Sequence, residues 1–379
     1  MNFSQKLSNL KQSHLYRSRK ISKNTQNTQM TINGKPLINF CSNDYLSLAS
    51  HPQVKEAFKQ GVDKFGVGSG SSHLISGHTP AHHALEEALA DYTGQKKALL
   101  FSTGYMANIG IFSALKDELD WVLQDKLNHA SLIDANHLIG LPLQRYLHNN
   151  VESLKKKIGK QTELAPHSIT FGGQGLVVTD NIFSMDGDQA NIKSIEKIVK
   201  KYNALLIQDD AHGFGIFEPI IPKNSIYMAT LGKAAGTMGA FVAGDEDLID
   251  FLIQKSRPYI YTTAIAPALC VATLKSLELI KHGDQNTKLL ANIRYFKSFS
   301  KTLNLPITNS NSAIQPFIMG SSKKAIHISK KLINVGFYVS AIRPPTVPKN
   351  TARLRITLSA RHTQSQIKQL LTQLKYAIQ

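Results

Sequence analysis

The chain has 379 residues, 42 % of them hydrophobic and 18 % charged, a globular composition long enough for about two domains with cores of their own. Its two cysteines, Cys41 and Cys270, lie far apart without CxxC or histidine-paired spacing, which excludes a disulfide framework or thiolate metal site and fits a reducing, cytoplasmic compartment. With 44 Lys and Arg against 26 Asp and Glu the net charge is +18, a statement about partners more than about fold.

"MNFSQKLSNLKQSHLYRSRK" at the N-terminus has polar residues where a signal peptide needs an apolar core. No apolar run approaches the roughly 18 residues of a membrane span, so no membrane partner is expected. The lysines are scattered in clusters such as "SLKKKIGKQ" and "SSKKAIHISKK", without interleaved aromatics or a zinc-finger or helix-turn-helix signature. They read as solvated faces, suited to an acidic carrier protein or a polyanionic thioester, with a basic nucleic-acid-binding role as the remote alternative.

In chain order, "HPQVKEAFKQGVDKFG" and "PAHHALEEALADYTG" carry apolar residues at three- and four-residue spacing and stop at glycine, which predicts two amphipathic helices. "KALLF" reads as a short buried strand, followed by "STGYMAN" and the helical "IGIFSAL". "WVLQD" is a strand and "HASLIDANHLIG" a helix. "GLVVTD" is a strand running into the turn "NIFSMDGD". "IKSIEKIVKKYN" is a helix, "ALLIQDDAHG" a strand with an acidic end, and "IYMATLGK" completes the series.

Strands apolar on both faces, alternating with helices, predict an α/β fold with a mostly parallel sheet covered on both sides. In such sheets ligands bind outside the carboxyl ends of the strands, where "STGY", "NHAS", "IFSMDG", "DDAHG" and "TLGK" all fall. Beyond residue 275 the pattern becomes a long helical stretch, "SLELIKHGDQNTKLLANIRYFKSFSKTL". The strands "SAIQPFIMG", "FYVSAIRPP" and "ARLRITLSA" follow, with helices "KAIHISKKLINVG" and "TQSQIKQLLTQLKYAIQ". The expected organisation is an N-terminal arm at 1–45, a large α/β domain at 46–275 and a smaller α+β C-terminal domain at 276–379.

Several polar residues at the predicted strand ends point to one chemistry. Asp209 with His212 three residues on suits a metal site, half of a triad, or an anchor for a protonated ring nitrogen. No third local ligand supports a metal there, and no GxSxG elbow supports a triad. A lysine behind an apolar run and among small residues, as Lys233 is in "YMATLGKAAG", loses hydration and becomes able to form a Schiff base. Gly104 and Tyr105 stand where N–H groups at a helix start would hold a phosphate. Thr230, Ser184 and Thr262 offer hydroxyls, and Tyr105 or His129 offers a ring to stack on a flat cofactor.

With "FCSNDYLSL", "GVGSGSSHLISGHTPAHHALEEALA", "LLFSTGYMAN", "LNHASLIDA", "NIFSMDGD", "DDAHGFG", "TLGK", "SAIQPFI" and "AIRPPTVPKNTARLRITLSARH", the chain resembles the α-oxoamine synthases, pyridoxal-phosphate (PLP) enzymes of the aspartate-aminotransferase fold. The resemblance runs from about residue 37 to 362. It implies that Lys233 carries PLP through a Schiff base, Asp209 meets the pyridine nitrogen, His212 the phenolic oxygen, and His129 stacks over the ring. Gly104, Tyr105, Ser184 and Thr230 complete the cofactor site, with Thr262 reaching the phosphate of a neighbouring protomer in a homodimer with shared active sites. Arg355 matches the group that grips the amino-acid carboxylate, and Asn43, Thr346 and Arg17 match further substrate contacts.

The pair "SAIQP" and "AIRPPTVP" resembles the branch that condenses L-alanine with a pimeloyl thioester, on acyl carrier protein or CoA, in biotin biosynthesis. Other α-oxoamine synthases, glycine-dependent or using longer acyl chains, share the cofactor groups and form the alternative. The sequence departs from the family pattern at Ser47, where glycine is usual, at Asp180 and Asn181, and in a shortened segment between Gly213 and Lys233.

Overall fold

The structure is a computed structural model, and it describes residues 1–23, 26–164 and 174–379. The chain opens with helix α1 (Phe3–Gln12) and a hairpin of strands β1 (Gln29–Ile32) and β2 (Lys35–Asn39). Helix α2 (Pro52–Phe65) starts on a proline, whose fixed φ suits a first helical turn, and ends at Gly66. Helix α3 (Pro80–Thr93) is held at its start by a capping box between Thr79 and His82.

Strands and helices then alternate: β3 (Lys97–Phe101), α4 (Gly104–Leu115), β4 (Leu119–Asp125), α5 (Ala130–Ile139), β5 (Gln144–Tyr146) and α6 (Val151–Leu164). They continue with β6 (Gln174–Asp180), α7 (Ile192–Lys201), β7 (Leu205–Asp209), β8 (Ser225–Thr230) and β9 (Ala240–Gly244). Helices α8 (Glu246–Lys255), α9 (Arg257–Ile260) and α10 (Pro267–His282) follow. The last part holds α11 (Gln285–Thr302), β10 (Ile314–Gly320), α12 (Ser322–Asn334), β11 (Phe337–Tyr338), β12 (Ser340–Ile342), β13 (Ala352–Thr357) and α13 (Gln364–Ile378).

Two compact units emerge, one of His51–Ser184 with Gln189–Gly283, the other of Met1–Ser50, Met185–Asp188 and Asp284–Gln379. The first holds a seven-stranded sheet in the order β3-β9-β8-β7-β6-β4-β5. It is parallel from β5 through β8, while β9 runs antiparallel to both β3 and β8. Side-chain alternation sorts these strands into two cores. Leu99, Phe101, Ile226, Met228, Ala240 and Val242 pack on one face. Ala98, Leu100, Tyr227, Ala229, Phe241 and Ala243 pack on the other. A sheet covered on both sides is what unbroken apolar strands require.

The helices obey the same logic. Ile192, Ile195, Ile198 and Val199 of α7 are buried at helical spacing, with Asn191 capping the first turn through Ser194 N–H. Helix α2 lies so close to α10 that a Cβ built on Gly61 would stand 2.7 Å from the Cα of Ala268.

The second unit pairs β10, β13 and β12 antiparallel, and β11 joins the β1–β2 hairpin. That hairpin groups the first fifty residues with the C-terminal segment, whereas the sequence suggested an arm ending at residue 45. The long helix expected over 276–303 is two helices, broken at Gly283 and Asp284. The "MDGD" half of the "NIFSMDGD" turn belongs to this unit as well. Arg353, 4 % exposed, donates to Asp186 at 2.6 Å and to the Met185 carbonyl at 3.0 Å. The hydroxyls of Ser310 and Ser312 both donate to the Gly187 carbonyl at 2.9 Å.

Candidate active site

Strand register assembles the site. β6, β7 and β8 are parallel neighbours, and their pairing sets Asp180 beside Asp209 and Asp209 beside Met228 at the carboxyl tips. Within three residues of β7 and β8 the chain delivers His212 and Lys233. The Nζ of Lys233 lies 2.8 Å from Nε2 of His212. Gly104, Tyr105, His129, Ser131, Asp180, Asp209, Ala211, His212, Met228, Thr230 and Lys233 line one cavity of about 200 Å3.

Asp209, 4 % exposed, has its carboxylate fixed twice: Asn108 donates to Oδ2 at 2.9 Å and the Ala211 N–H to Oδ1 at 3.0 Å. The Asn108 amide also donates to Ser131 Oγ at 2.9 Å. Ser131 in turn meets Nδ1 of His129, through its hydroxyl at 2.8 Å and its N–H at 3.3 Å. Two donors on Nδ1 make that nitrogen the acceptor, so in the neutral ring the proton sits on Nε2. A continuous chain therefore runs His129–Ser131–Asn108–Asp209. Loss of hydration among its neighbours holds the His129 imidazole below its usual pKa. Asp209 opposes that drop and Lys233 adds to it.

Asp180, 3 % exposed, accepts the His129 N–H at 3.1 Å. Burial pushes its carboxyl well above the usual range and the nearby Asp209 charge pushes it further. Behind the site Asp210, raised to about 7 by burial, accepts a 2.6 Å hydrogen bond from Tyr227.

At the other end of the cavity α4 begins. Thr103 caps it by accepting the Met106 N–H at 3.1 Å, which leaves Gly104 and Tyr105 N–H without intrahelical carbonyls. A helix start of this kind favours an anion. The Tyr105 hydroxyl donates to Asp134. The Thr230 hydroxyl donates to the Gly239 carbonyl at 3.0 Å.

Of the nine residues expected at the cofactor or in catalysis within this unit, seven line the cavity, namely Lys233, His129, Asp209, His212, Gly104, Tyr105 and Thr230, while Ser184 and Thr262 do not. Of the residues expected at the substrate, His129 lines the cavity, whereas Arg17, Asn43, Thr346 and Arg355 belong to the other unit. Arg355, 7 % exposed, donates to Asn43 Oδ1 at 3.1 Å and lies 3.5 Å from the Tyr45 hydroxyl. Arg17 donates to Thr346 Oγ1 at 3.4 Å. Sequence reasoning passed over Asn108, Ser131 and Tyr45, although each stands inside a quoted motif.

The residues present fit pyridoxal phosphate by their chemistry. An amine, a buried carboxylate and a helix start surround one cavity, matching the carbonyl, pyridine nitrogen and phosphate of that group. Fold and site together define a PLP enzyme of the aminotransferase type. The sequence profile of the family "Aminotransferase class I and II" matches residues 35–374. The 8-amino-7-oxononanoate synthase of Pseudomonas fluorescens is 49 % identical, over 95 % of this chain and 93 % of that one. That of Methylococcus capsulatus is 46 % identical over 98 % and 97 %.

The chain belongs to the 8-amino-7-oxononanoate synthase family, within the class I and II aminotransferases. Among solved structures, the S. paucimobilis serine palmitoyltransferase with a bound PLP–myriocin aldimine superposes with a TM-score of 0.89 at 27 % identity, covering 99 % of this chain and 96 % of that one. The 8-amino-7-oxononanoate synthase of Francisella tularensis gives 0.74 at 30 % identity, covering 90 % and 98 %. Shape alone does not separate the two activities, so the much higher identity to the curated synthases carries the assignment. Among the described residues no helix is long and apolar enough to cross a membrane.

Proposed function

We propose that the chain condenses L-alanine with a pimeloyl thioester, on acyl carrier protein or CoA, releasing the thiol and CO2 and giving 8-amino-7-oxononanoate for biotin synthesis. The observation that carries this reading is the Lys233–His212–Asp209 cavity in a chain 46–49 % identical to curated synthases along nearly its whole length. Bound PLP supplies an electron sink that stabilises negative charge at the amino-acid α-carbon.

The chain's own groups do the rest. Lys233 Nζ anchors the cofactor and then moves the α-proton. Asp209, oriented by Asn108 and the Ala211 N–H, accepts the pyridine N–H and keeps that nitrogen charged. His212 serves the phenolic oxygen, and His129 covers the ring. The N–H groups of Gly104 and Tyr105 hold the phosphate, and Thr230 and Ser184 complete the cofactor site, Ser184 from outside the cavity lining. Thr262 serves the phosphate of the partner in a homodimer. Arg355 pairs with the alanine carboxylate, supported by Asn43, and Thr346 and Arg17 contact substrate. The +18 net charge suits an acidic carrier as acyl donor.

The test is release of CO2 and free thiol from pimeloyl thioesters, with L-alanine, glycine and L-serine compared. Preference for L-alanine with the pimeloyl donor is expected. Preference for glycine or serine with another acyl chain supports the second reading, a different α-oxoamine synthase. The serine palmitoyltransferase likeness is the observation that favours it.

A further inference from the structure

Four histidines crowd the segment between α2 and α3 and the first turn of α3, away from the cavity lining. The ring centroids of His73 and His78 are 5.3 Å apart, those of His78 and His82 5.6 Å, and those of His78 and His83 6.2 Å. Their roles differ. His82 is spent on structure, with Nδ1 accepting from the Thr79 N–H at 3.1 Å and Nε2 on the Ile265 carbonyl at 2.8 Å. His73 stacks on Tyr259 at 4.9 Å and meets Nδ1 of His78 with its own Nδ1 at 3.0 Å.

That leaves His78 with Nε2 turned toward Glu86, 3.9 Å from its Oε2. Glu86 is held in place by its other oxygen, which accepts the Leu100 N–H at 3.0 Å. His83 stands three residues before Glu86, hence on the same side of α3. One ligand atom from each of His78, His83 and Glu86 lies within 4.8 Å of the other two.

We propose that His78, His83 and Glu86 bind a borderline divalent metal ion of the zinc or nickel class. Two imidazoles and one carboxylate are a donor set zinc accepts, with water completing the tetrahedron. Both histidines are exposed, and to reach the roughly 2 Å bonds of such a site His83 would leave Glu87, whose Oε1 lies 3.4 Å from its Nε2. The surroundings supply an outer shell. The His73 contact fixes which His78 nitrogen faces the ion, and the Leu100 N–H orients the carboxylate. A bound ion ties the π-helical turn His73–Gly77 to α3. The same segment bridges the chain after α9, through Ser72 with Thr263 and through the Ala264 N–H on the Ser71 carbonyl at 2.9 Å. Occupancy therefore braces the Tyr261–Thr263 stretch.

The experiment is zinc titration of the untagged, chelator-washed holoenzyme by calorimetry, paired with thermal melts. About one zinc per chain and a raised Tm are expected. His83→Ala removes an exposed ligand, and Glu86→Gln keeps an acceptor for Leu100. Each should weaken zinc binding at least roughly tenfold, the lower end of what even outer-shell changes cost. Absence of saturable zinc binding overturns the proposal, as does binding of unchanged affinity in both variants.

Discussion

Nζ of Lys233 and Nε2 of His212 lie 2.8 Å apart, although 21 residues separate them in the chain. Each sits three residues beyond its strand, so the parallel pairing of β7 with β8 is what brings them together. The same pairing keeps Asp209 at the strand tip while the lysine follows the turn. One register thus supplies both the amine and the acid of the proposed chemistry.

Purified protein should be yellow, and borohydride should fix the cofactor on the peptide containing Lys233. In Lys233→Ala that reduced adduct should be absent and turnover lower by about 10²–10⁴-fold, the usual worth of a positioned acid–base group. Peptide mass spectrometry after reduction checks the assignment. The same chromophore fixed in the alanine variant would falsify it.

Asp210 gives a pH dependence whose sign is opposite to that of a salt-bridged carboxylate. Its folded pKa is raised from 3.8 to about 7, so between those values the folded protein holds a proton that the unfolded chain has released. Stability from this group is full below about pH 4 and is lost as pH rises toward 7, on the order of 4 kcal/mol in all. In Asp210→Asn that loss disappears. The Tm of the variant minus that of the wild type should grow more positive from pH 4 to pH 7 in matched melts. A flat or falling difference would contradict the buried, protonated state.

Much of this site was legible because its groups come in short motifs at strand ends. Asp209 and His212 are three residues apart, and Lys233 follows an apolar strand, so local spacing carried the signal. The network behind them was not legible. Asn108 reaches Asp209 across 101 residues of chain and Ser131 across 23, pairings set by how α4 and α5 pack. Strand β9 also escaped, since "AFVAG" is short and runs against its neighbours. Ser47 shows a different limit. The family pattern favours glycine at this position, and the reason is a φ of +57°, which glycine adopts without strain.

Arg355 offers a test that separates substrate binding from cofactor binding. It belongs to the unit that does not line the PLP cavity, and it is held by Asn43 with Tyr45 beside it. In Arg355→Lys the bidentate fork is lost while a positive charge stays. The KM for the amino acid should rise roughly 10- to 150-fold, the worth of a hydrogen bond to a charged group. The absorbance of bound PLP should stay unchanged. A rise confined to the acyl donor's KM would move the arginine to the other substrate.

Gly61 tests the packing that supports the sheet from outside. Alanine is the better helix former by up to about 1 kcal/mol, so propensity alone predicts that Gly61→Ala stabilises α2. Packing predicts the reverse. The new methyl would stand 2.7 Å from the Ala268 Cα and 3.1 Å from its Cβ, and backbone cannot swing aside as a flexible side chain does. Overpacking of this kind costs typically 1–3 kcal/mol, which outweighs the helix gain. Chemical denaturation should therefore show a net loss of up to about 2 kcal/mol, the difference between those two effects. Adding Ala268→Gly should recover part of it by removing one of the two clashing carbons. A variant more stable than the wild type by the full helix gain would mean that α2 and α10 separate without cost.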